Sequence, residues 1–234
     1  MKVTHLYHSG FLVELEHTLL LFDYYKGELP PLDEDKTLFV FVSHKHEDHF
    51  SSAIWQLSET HPNIWYVLYQ DIPAPRSANI LLVDSHQQYA WQGLEIETLR
   101  STDEGCAFLV LAEDEQIYHA GDLNWWHWEG EPEEDNAWHD KAFHEELDLI
   151  RGRSFDCAFL PLDPRQQNNA WWGFADFLNA CPCLHVFPMH YEDNREKCCG
   201  ILNSPNSNRS WHRSTPMISG KSDLFPLINK ENLL

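Results

Sequence analysis

Four side chains that can bind metal ions lie within six consecutive residues. The run is His44, Lys45, His46, Glu47, Asp48 and His49, which gives the pattern H-x-H-x-D-H. Imidazole nitrogens and carboxylate oxygens are common ligands of zinc, and they also bind manganese and iron. Two such cations, about 3.5–4 Å apart, can hold a hydroxide at neutral pH and stabilise a developing negative charge. The run therefore predicts a metal-dependent hydrolytic reaction.

The neighbouring sequence indicates which elements must position these side chains. The apolar run at residues 38–42 directly precedes His44 and is typical of a buried strand. Three more candidate ligands or partners each follow a predicted strand: Asp23 after residues 19–22, Asp122 after residues 116–118, and His190 after residues 184–187. This repeated placement favours a built site over a surface loop that is merely rich in histidine.

These pieces, in this order, resemble the signature of the metallo-β-lactamase superfamily. The opening residues 8–14, HSGFLVE, are similar to the first hairpin of the branch that includes ascorbate-phosphate lactonases and many uncharacterised metal-dependent hydrolases. The resemblance covers roughly residues 1–190. It implies an α+β fold, a four-layer αββα sandwich with the metal site at the edge of the two sheets. The predicted elements agree, because strands come first and then alternate with helices.

Carried over residue by residue, the resemblance implies six metal ligands. They are His44 and His46 for a first ion, Asp48, His49 and His190 for a second, and Asp122 bridging both. Asp48 is expected to orient the metal-bound hydroxide and Asp122 to fix the separation of the metals, so these two are the predicted catalytic residues. Asp23 is expected to accept a hydrogen bond from a ligand imidazole, which fixes its tautomer. His8 is expected near the metals in a hydrogen-bonded role.

One ligand of the resembling family is missing. Between His49 and Asp122 the family usually supplies another histidine for the first metal, but residues 99–105, LRSTDEG, contain none. Asp103 is a candidate replacement, because carboxylate oxygen is an acceptable ligand. In the alternative, Asp103 only forms a turn before Gly105 and the protein works with one metal. We therefore expect one or two divalent ions per chain, with zinc first and manganese or iron as alternatives.

Aromatic side chains follow Asp122 closely and suggest a substrate pocket. They are Trp125, Trp126, His127 and Trp128. Aromatic walls are typical of small-ligand sites, although packing of the connection is the alternative for each tryptophan. Arg165 is a further candidate, because a guanidinium group binds carboxylate or phosphate in a bidentate manner.

The composition disfavours several classes of partner. The formal net charge is −21, from 16 basic and 37 acidic residues, whereas nucleic-acid binding needs clustered Lys and Arg. No stretch approaches the roughly 20 apolar residues of a membrane helix, and the N-terminus lacks a signal-peptide pattern. We therefore expect a cytoplasmic protein that acts on a small molecule without binding nucleic acid or membrane. The sequence favours no oligomeric state.

We predict one hydrolase domain over residues 1–199. Residues 200–234 are predicted to be a loop or mobile tail with a possible final edge strand at residues 224–228. The predicted function is hydrolysis of a small-molecule ester, lactone, amide, thioester or phosphoester. Two alternatives remain: an iron-dependent redox enzyme on the same fold, or a non-catalytic relative that binds metal or ligand. Diiron relatives usually carry glutamate at the position of His46, which disfavours that version of the redox alternative.

Overall fold

Twelve strands form two six-stranded sheets in residues 1–202, the part of the chain that the computed structural model describes. The first sheet contains, in spatial order, β1 (Lys2–Tyr7), β2 (Gly10–Glu14), β3 (Thr18–Phe22), β4 (Thr37–Val42), β5 (Ile64–Tyr69) and β6 (Ile80–Val83). Its first three strands are antiparallel, and the pairs from β3 to β6 are parallel.

The second sheet follows along the chain. It contains β7 (Gln88–Trp91), β8 (Leu94–Arg100), β9 (Cys106–Ala112), β10 (Glu115–His119), β11 (Phe155–Pro161) and β12 (Cys183–Met189), in the spatial order β12-β11-β10-β9-β8-β7. Strands β7 to β10 pair antiparallel, and β10 to β12 pair parallel. Strand β7 was not predicted from the sequence, because its four residues alternate between exposed and half-buried positions without a strong apolar face.

Helices lie between and after the strands. They are a 3₁₀ helix at Ser52–Gln56, α1 (Leu57–Thr60), α2 (Glu133–Ile150), a 3₁₀ helix at Pro164–Asn169, α3 (Trp172–Ala180) and α4 (Arg195–Leu202). Helix α4 extends across the predicted domain boundary at residue 199. The rest of the predicted tail, residues 203–234 with the possible strand at 224–228, lies outside the described residues. Within residues 1–202, no helix combines the length and apolar character needed to cross a membrane.

Both faces of the sheets are covered, which explains the continuous apolar runs. In β4, Phe41 points between the sheets and contacts Phe108 of β9 at a ring distance of 5.3 Å. Val40 belongs to a separate buried cluster with Ile54 of the first 3₁₀ helix, on the other face of the first sheet. A strand buried on both faces reads as an unbroken apolar segment. On the second sheet, Tyr118 of β10 stacks on a phenylalanine of α3 at 4.6 Å. The predicted αββα layering is confirmed.

Candidate metal centre

Five strands end at one edge of the sandwich with a side chain that can bind a metal or orient a ligand. The residues are Asp23 after β3, His44 after β4, Asp122 after β10, Asp163 after β11 and His190 after β12. All five are buried. Because these strands run parallel to their neighbours within each sheet, their carboxyl ends lie on the same side. The fold therefore brings together side chains that are far apart in the sequence.

Asp122 lies at the centre of this group. Its Oδ1 atom is 3.2 Å from Nε2 of His49 and 3.4 Å from Nε2 of His190, and its Oδ2 atom is 3.5 Å from Nε2 of His44. The side chain is nearly inaccessible, with 4% exposed. One carboxylate thus faces three imidazoles, with each oxygen directed to a different part of the group. This is a suitable arrangement for a ligand that bridges two ions.

The possible donor atoms fall into four overlapping groups, within each of which all atoms lie within 4.8 Å of one another. The groups are His44, His46 and Asp48; His44, His49 and Asp122; His46, Asp103 and Asp122; and His8, Asp48, His49 and His190. The structure thus brings together all six predicted ligands and Asp103. Asp48 lies within reach of both the first-metal histidines and the second-metal group, so the geometry does not restrict it to the second ion.

The donors fit a divalent cation. Nε2 of His44, Nε2 of His49 and Oδ1 of Asp122 are buried and have no hydrogen-bond partner within residues 1–202. A buried polar atom without a partner costs free energy, so nearly all such atoms in folded proteins have one. A cation among these atoms would supply the missing partner, and the mixture of imidazole and carboxylate suits zinc, manganese or iron.

Asp23 fixes the orientation of His49. Its Oδ2 atom accepts a hydrogen bond from Nδ1 of His49 at 2.7 Å and another from the hydroxyl of Ser43 at 2.7 Å, while its Oδ1 atom accepts from the backbone N–H of Ser43 at 2.8 Å. When Nδ1 of His49 donates to this carboxylate, its Nε2 atom is left as a free acceptor on the side of Asp122. Such a carboxylate behind a ligand imidazole sets its tautomer and raises its basicity.

Asp163 plays the corresponding part behind His190, and sequence reasoning missed it. Its Oδ2 atom lies 3.2 Å from Nδ1 of His190, and the same carboxylate forms an ion pair with Arg165. The sequence feature that could have identified Asp163 is its position two residues after β11, at the carboxyl end of a parallel strand. Arg165 keeps 64% of its side chain exposed, and its guanidinium lies 5.9 Å from the ring centre of Trp128.

The predicted pocket residues divide into two sets. Trp126 packs against His190 at a ring distance of 5.3 Å, and Trp128 stacks on Trp126 at 5.8 Å. By contrast, Trp125 and His127 both pack against Trp172 of α3. Trp126, Trp128 and Arg165 therefore form a wall beside the candidate metal centre, whereas the contacts of Trp125 and His127 indicate packing of the connection onto α3.

Electrostatic coupling is strong at the centre. Burial opposes a charge on His190, but the carboxylates of Asp122 and Asp163 outweigh it and raise the pKa of His190 to about 9. The pKa of His49 is also raised, because Asp122 and Asp23 outweigh its burial. Burial lowers the pKa of His44 to about 4. The carboxylates around His49 and His190 therefore favour positive charge at this centre, which a bound cation would supply.

The loop between β8 and β9 touches the start of the metal-binding run. The backbone N–H of Cys106 donates to the carbonyl of Ser43 at 3.1 Å. Gly105 has a φ of +80°, and a Cβ atom placed on it would lie 2.0 Å from the Ser43 carbonyl oxygen and 2.6 Å from Cβ of His44. Glycine is required here both by the left-handed backbone and by this close approach.

Replacing Gly105 with alanine is expected to destabilise the protein by clearly more than the same change at Gly93. Both glycines have positive φ, at +80° and +87°, but nothing lies within 4 Å of a Cβ on Gly93. Each substitution carries a cost of roughly 1–2 kcal/mol for placing a Cβ atom on left-handed backbone, and only Gly105→Ala adds a clash with the backbone next to His44. Urea unfolding of both variants measures the difference; equal losses of stability would show that the loop moves aside freely.

Comparisons with known proteins identify the family and the fold of this chain. The sequence profile of the family described as the β-lactamase superfamily domain matches residues 2–128. A UPF0173 metal-dependent hydrolase from Opitutus terrae is 28% identical over 217 residues, covering 83% of this chain and 86% of the relative. Among solved structures, Igni18, a metallo hydrolase from Ignicoccus hospitalis, has a TM-score of 0.61 at 17% identity and covers 94% of this chain and 95% of its own. The metallo-β-lactamase fold protein YhfI from Bacillus subtilis has a TM-score of 0.57 at 13% identity, with 87% and 92% covered.

Proposed function

The chain belongs to the metallo-β-lactamase superfamily of metal-dependent hydrolases, and from that premise we propose that it hydrolyses a small-molecule ester, lactone, amide, thioester or phosphoester. The observation that carries the proposal is the group of buried imidazole nitrogens around Asp122 that have no other partner. The proposed ligands are His44 and His46 for a first ion, Asp48, His49 and His190 for a second, Asp122 for both, and Asp103 as the third donor of the first. Zinc suits this mixture of ligands, and manganese or iron are the alternatives.

The chain's own residues prepare the site for hydrolysis. Bound divalent cations would supply a nucleophile at neutral pH and a Lewis acid for the developing oxyanion. Asp23 and Asp163 hold His49 and His190 in the tautomer that keeps Nε2 free. Asp48 keeps 43% of its side chain exposed, and the His8 imidazole, whose Nε2 atom lies 3.4 Å from its carboxylate, holds the pKa of the carboxyl group well below the usual range. Asp48 is therefore a charged acceptor, open to solvent, that can orient an incoming water molecule.

The wall beside the centre supports a substrate with both an apolar part and an anionic part. Trp126 is buried against His190, and the partly exposed ring of Trp128 stacks on it. Arg165 lies over the Trp128 ring and is largely exposed, with Asp163 fixing one side of its guanidinium. The remaining N–H groups of a guanidinium can bind a carboxylate or phosphate. We therefore include an anionic group beside the scissile bond in the proposed substrate.

Metal analysis of freshly purified protein, followed by a panel of lactones, thioesters and phosphodiesters, tests the proposal. We expect one or two divalent ions per chain and hydrolysis of at least one class. Chelation should abolish that activity and added metal should restore it. Hydrolysis that survives complete removal of metal would contradict the proposal. A visible absorption band from bound iron, together with oxygen consumption, would instead favour the redox alternative.

Metal affinity is expected to rise as the pH increases from neutral to about 9. The pKa of His190 in the metal-free protein is about 9, so at neutral pH a metal must displace its proton. Ligand protonation of this kind makes metal binding release protons and depend on pH. Competition titrations with a chelator, corrected for the chelator's own protonation, measure the effect. An affinity that does not change with pH over this range would show that His190 is not a ligand.

A further inference from the structure

His8 is held against the candidate metal centre by the backbone. It lies in the turn between β1 and β2 with a φ of 52° and is only 2% exposed. Its carbonyl oxygen accepts a hydrogen bond from the backbone N–H of His190 at 3.2 Å. This hydrogen bond joins the first hairpin to the end of β12, directly after which the proposed ligand His190 follows. Positive φ is uncommon for a residue other than glycine, and its presence in this turn directs the imidazole inward.

The His8 imidazole has no adequate partner within residues 1–202. Neither Nδ1 nor Nε2 makes a hydrogen bond that satisfies ordinary geometry. The nearest carboxylate, that of Asp48, is 3.4 Å from Nε2, beyond the usual range of 2.7–3.2 Å. The ring lies 4.3 Å from that of His190 and 5.5 Å from that of His49. One donor atom of His8 is within 4.8 Å of donor atoms of Asp48, His49 and His190.

We propose that His8 is itself a ligand of the second metal, in place of the hydrogen-bonded role that the sequence suggested. The second site would then contain three imidazoles, from His8, His49 and His190, together with the carboxylates of Asp48 and the shared Asp122. This inference rests on the proposed function only in requiring a divalent ion at the centre. It predicts that the second site fills before the first.

The substitution His8→Gln separates ligation from hydrogen bonding. Glutamine keeps an N–H donor for Asp48 but removes the imidazole, which is the preferred nitrogen ligand of zinc. The backbone tolerates it, because Gln92 of this chain has a φ of 51°. The matched control is His86→Gln, at a φ of 57°, where the imidazole is half exposed and pairs with Glu146. Circular dichroism and thermal unfolding of the metal-free variants establish that both are folded; His8→Asn replaces His8→Gln if the latter is not.

Cobalt and zinc titrations of the metal-free protein measure the outcome. We expect His8→Gln to weaken the tighter site by more than about 100-fold, beyond the 10–100-fold that residues behind the ligands typically cost, and to change the visible spectrum of the cobalt form. The control should match the wild type. A smaller loss with an unchanged cobalt spectrum, or no loss, would overturn the inference and leave His8 a hydrogen-bonding residue. A wild-type protein that binds no metal would instead contradict the proposed function.

Discussion

Replacing Asp122 with alanine is expected to abolish hydrolysis and to lower the metal content of the protein, while the fold survives. The Asp122 carboxylate faces imidazoles of both proposed sites, at 3.2 Å from His49 and 3.5 Å from His44. The backbone contact at this position is kept, because Trp126 donates its indole N–H to the Asp122 carbonyl oxygen rather than to the carboxylate. Without the carboxylate, burial favours neutral imidazoles, so no unpaired charge is left in the interior.

The loss of rate should be large. Metal ions supply several kcal/mol of transition-state stabilisation, and each 1.36 kcal/mol corresponds to a tenfold change, so we expect kcat/KM to fall about 10³-fold or more. Glu47→Ala is the matched control, because Glu47 lies in the same run but is exposed and belongs to none of the donor groups. Activity and bound metal are measured on both purified variants. Near-normal values for Asp122→Ala would show that Asp122 only forms a turn after β10.

The strand ends explain why so much of the centre could be predicted from the sequence. An apolar run such as residues 38–42 indicates a strand, and its abrupt change to His44 marks the point where the backbone leaves the core. Asp122 and His190 follow strands in the same way. Because parallel strands end on the same side, such residues tend to converge even though the sequence does not state the order of strands in the sheet.

Features that depend on neighbours across the fold were not accessible in this way. Asp163 matters because β11 lies beside β12, and only the pairing of those strands shows that it reaches His190. Trp138 of α2 is aromatic, but it is 51% exposed. That helix packs through Phe143 and Leu147, which at 3.6 residues per turn lie about 140° and 180° around the helix from Trp138. An aromatic side chain therefore does not by itself indicate the buried face of a helix.

The two proposed sites also differ in a way that the ligand types alone do not reveal. The second site is enclosed by buried histidines, whereas His46 of the first is 41% exposed, and apart from His44 the donors grouped with it are carboxylates. Oxygen-rich, solvent-accessible sites bind zinc less tightly than imidazole sites, because zinc is of intermediate softness. Asp103 occupies the place where the family usually supplies a histidine, close to His46 and Asp122.

Asp103→His is therefore expected to raise the zinc occupancy of the first site. Asp103→Asn is expected to lower the zinc affinity of that site at least about tenfold, which is the typical effect of losing a coordinating or supporting carboxylate. The imidazole restores a nitrogen donor next to His46, whereas the amide removes the charge and the stronger oxygen ligand. Asp114→His, in the exposed turn between β9 and β10, controls for a histidine added to the surface. Zinc titration with counting of bound metal per chain measures all three variants. If the wild type already holds two ions equally tightly and neither change at Asp103 alters this, another residue completes the first site. Glu104 is then the candidate, because its carboxylate lies 3.4 Å from Nε2 of His46.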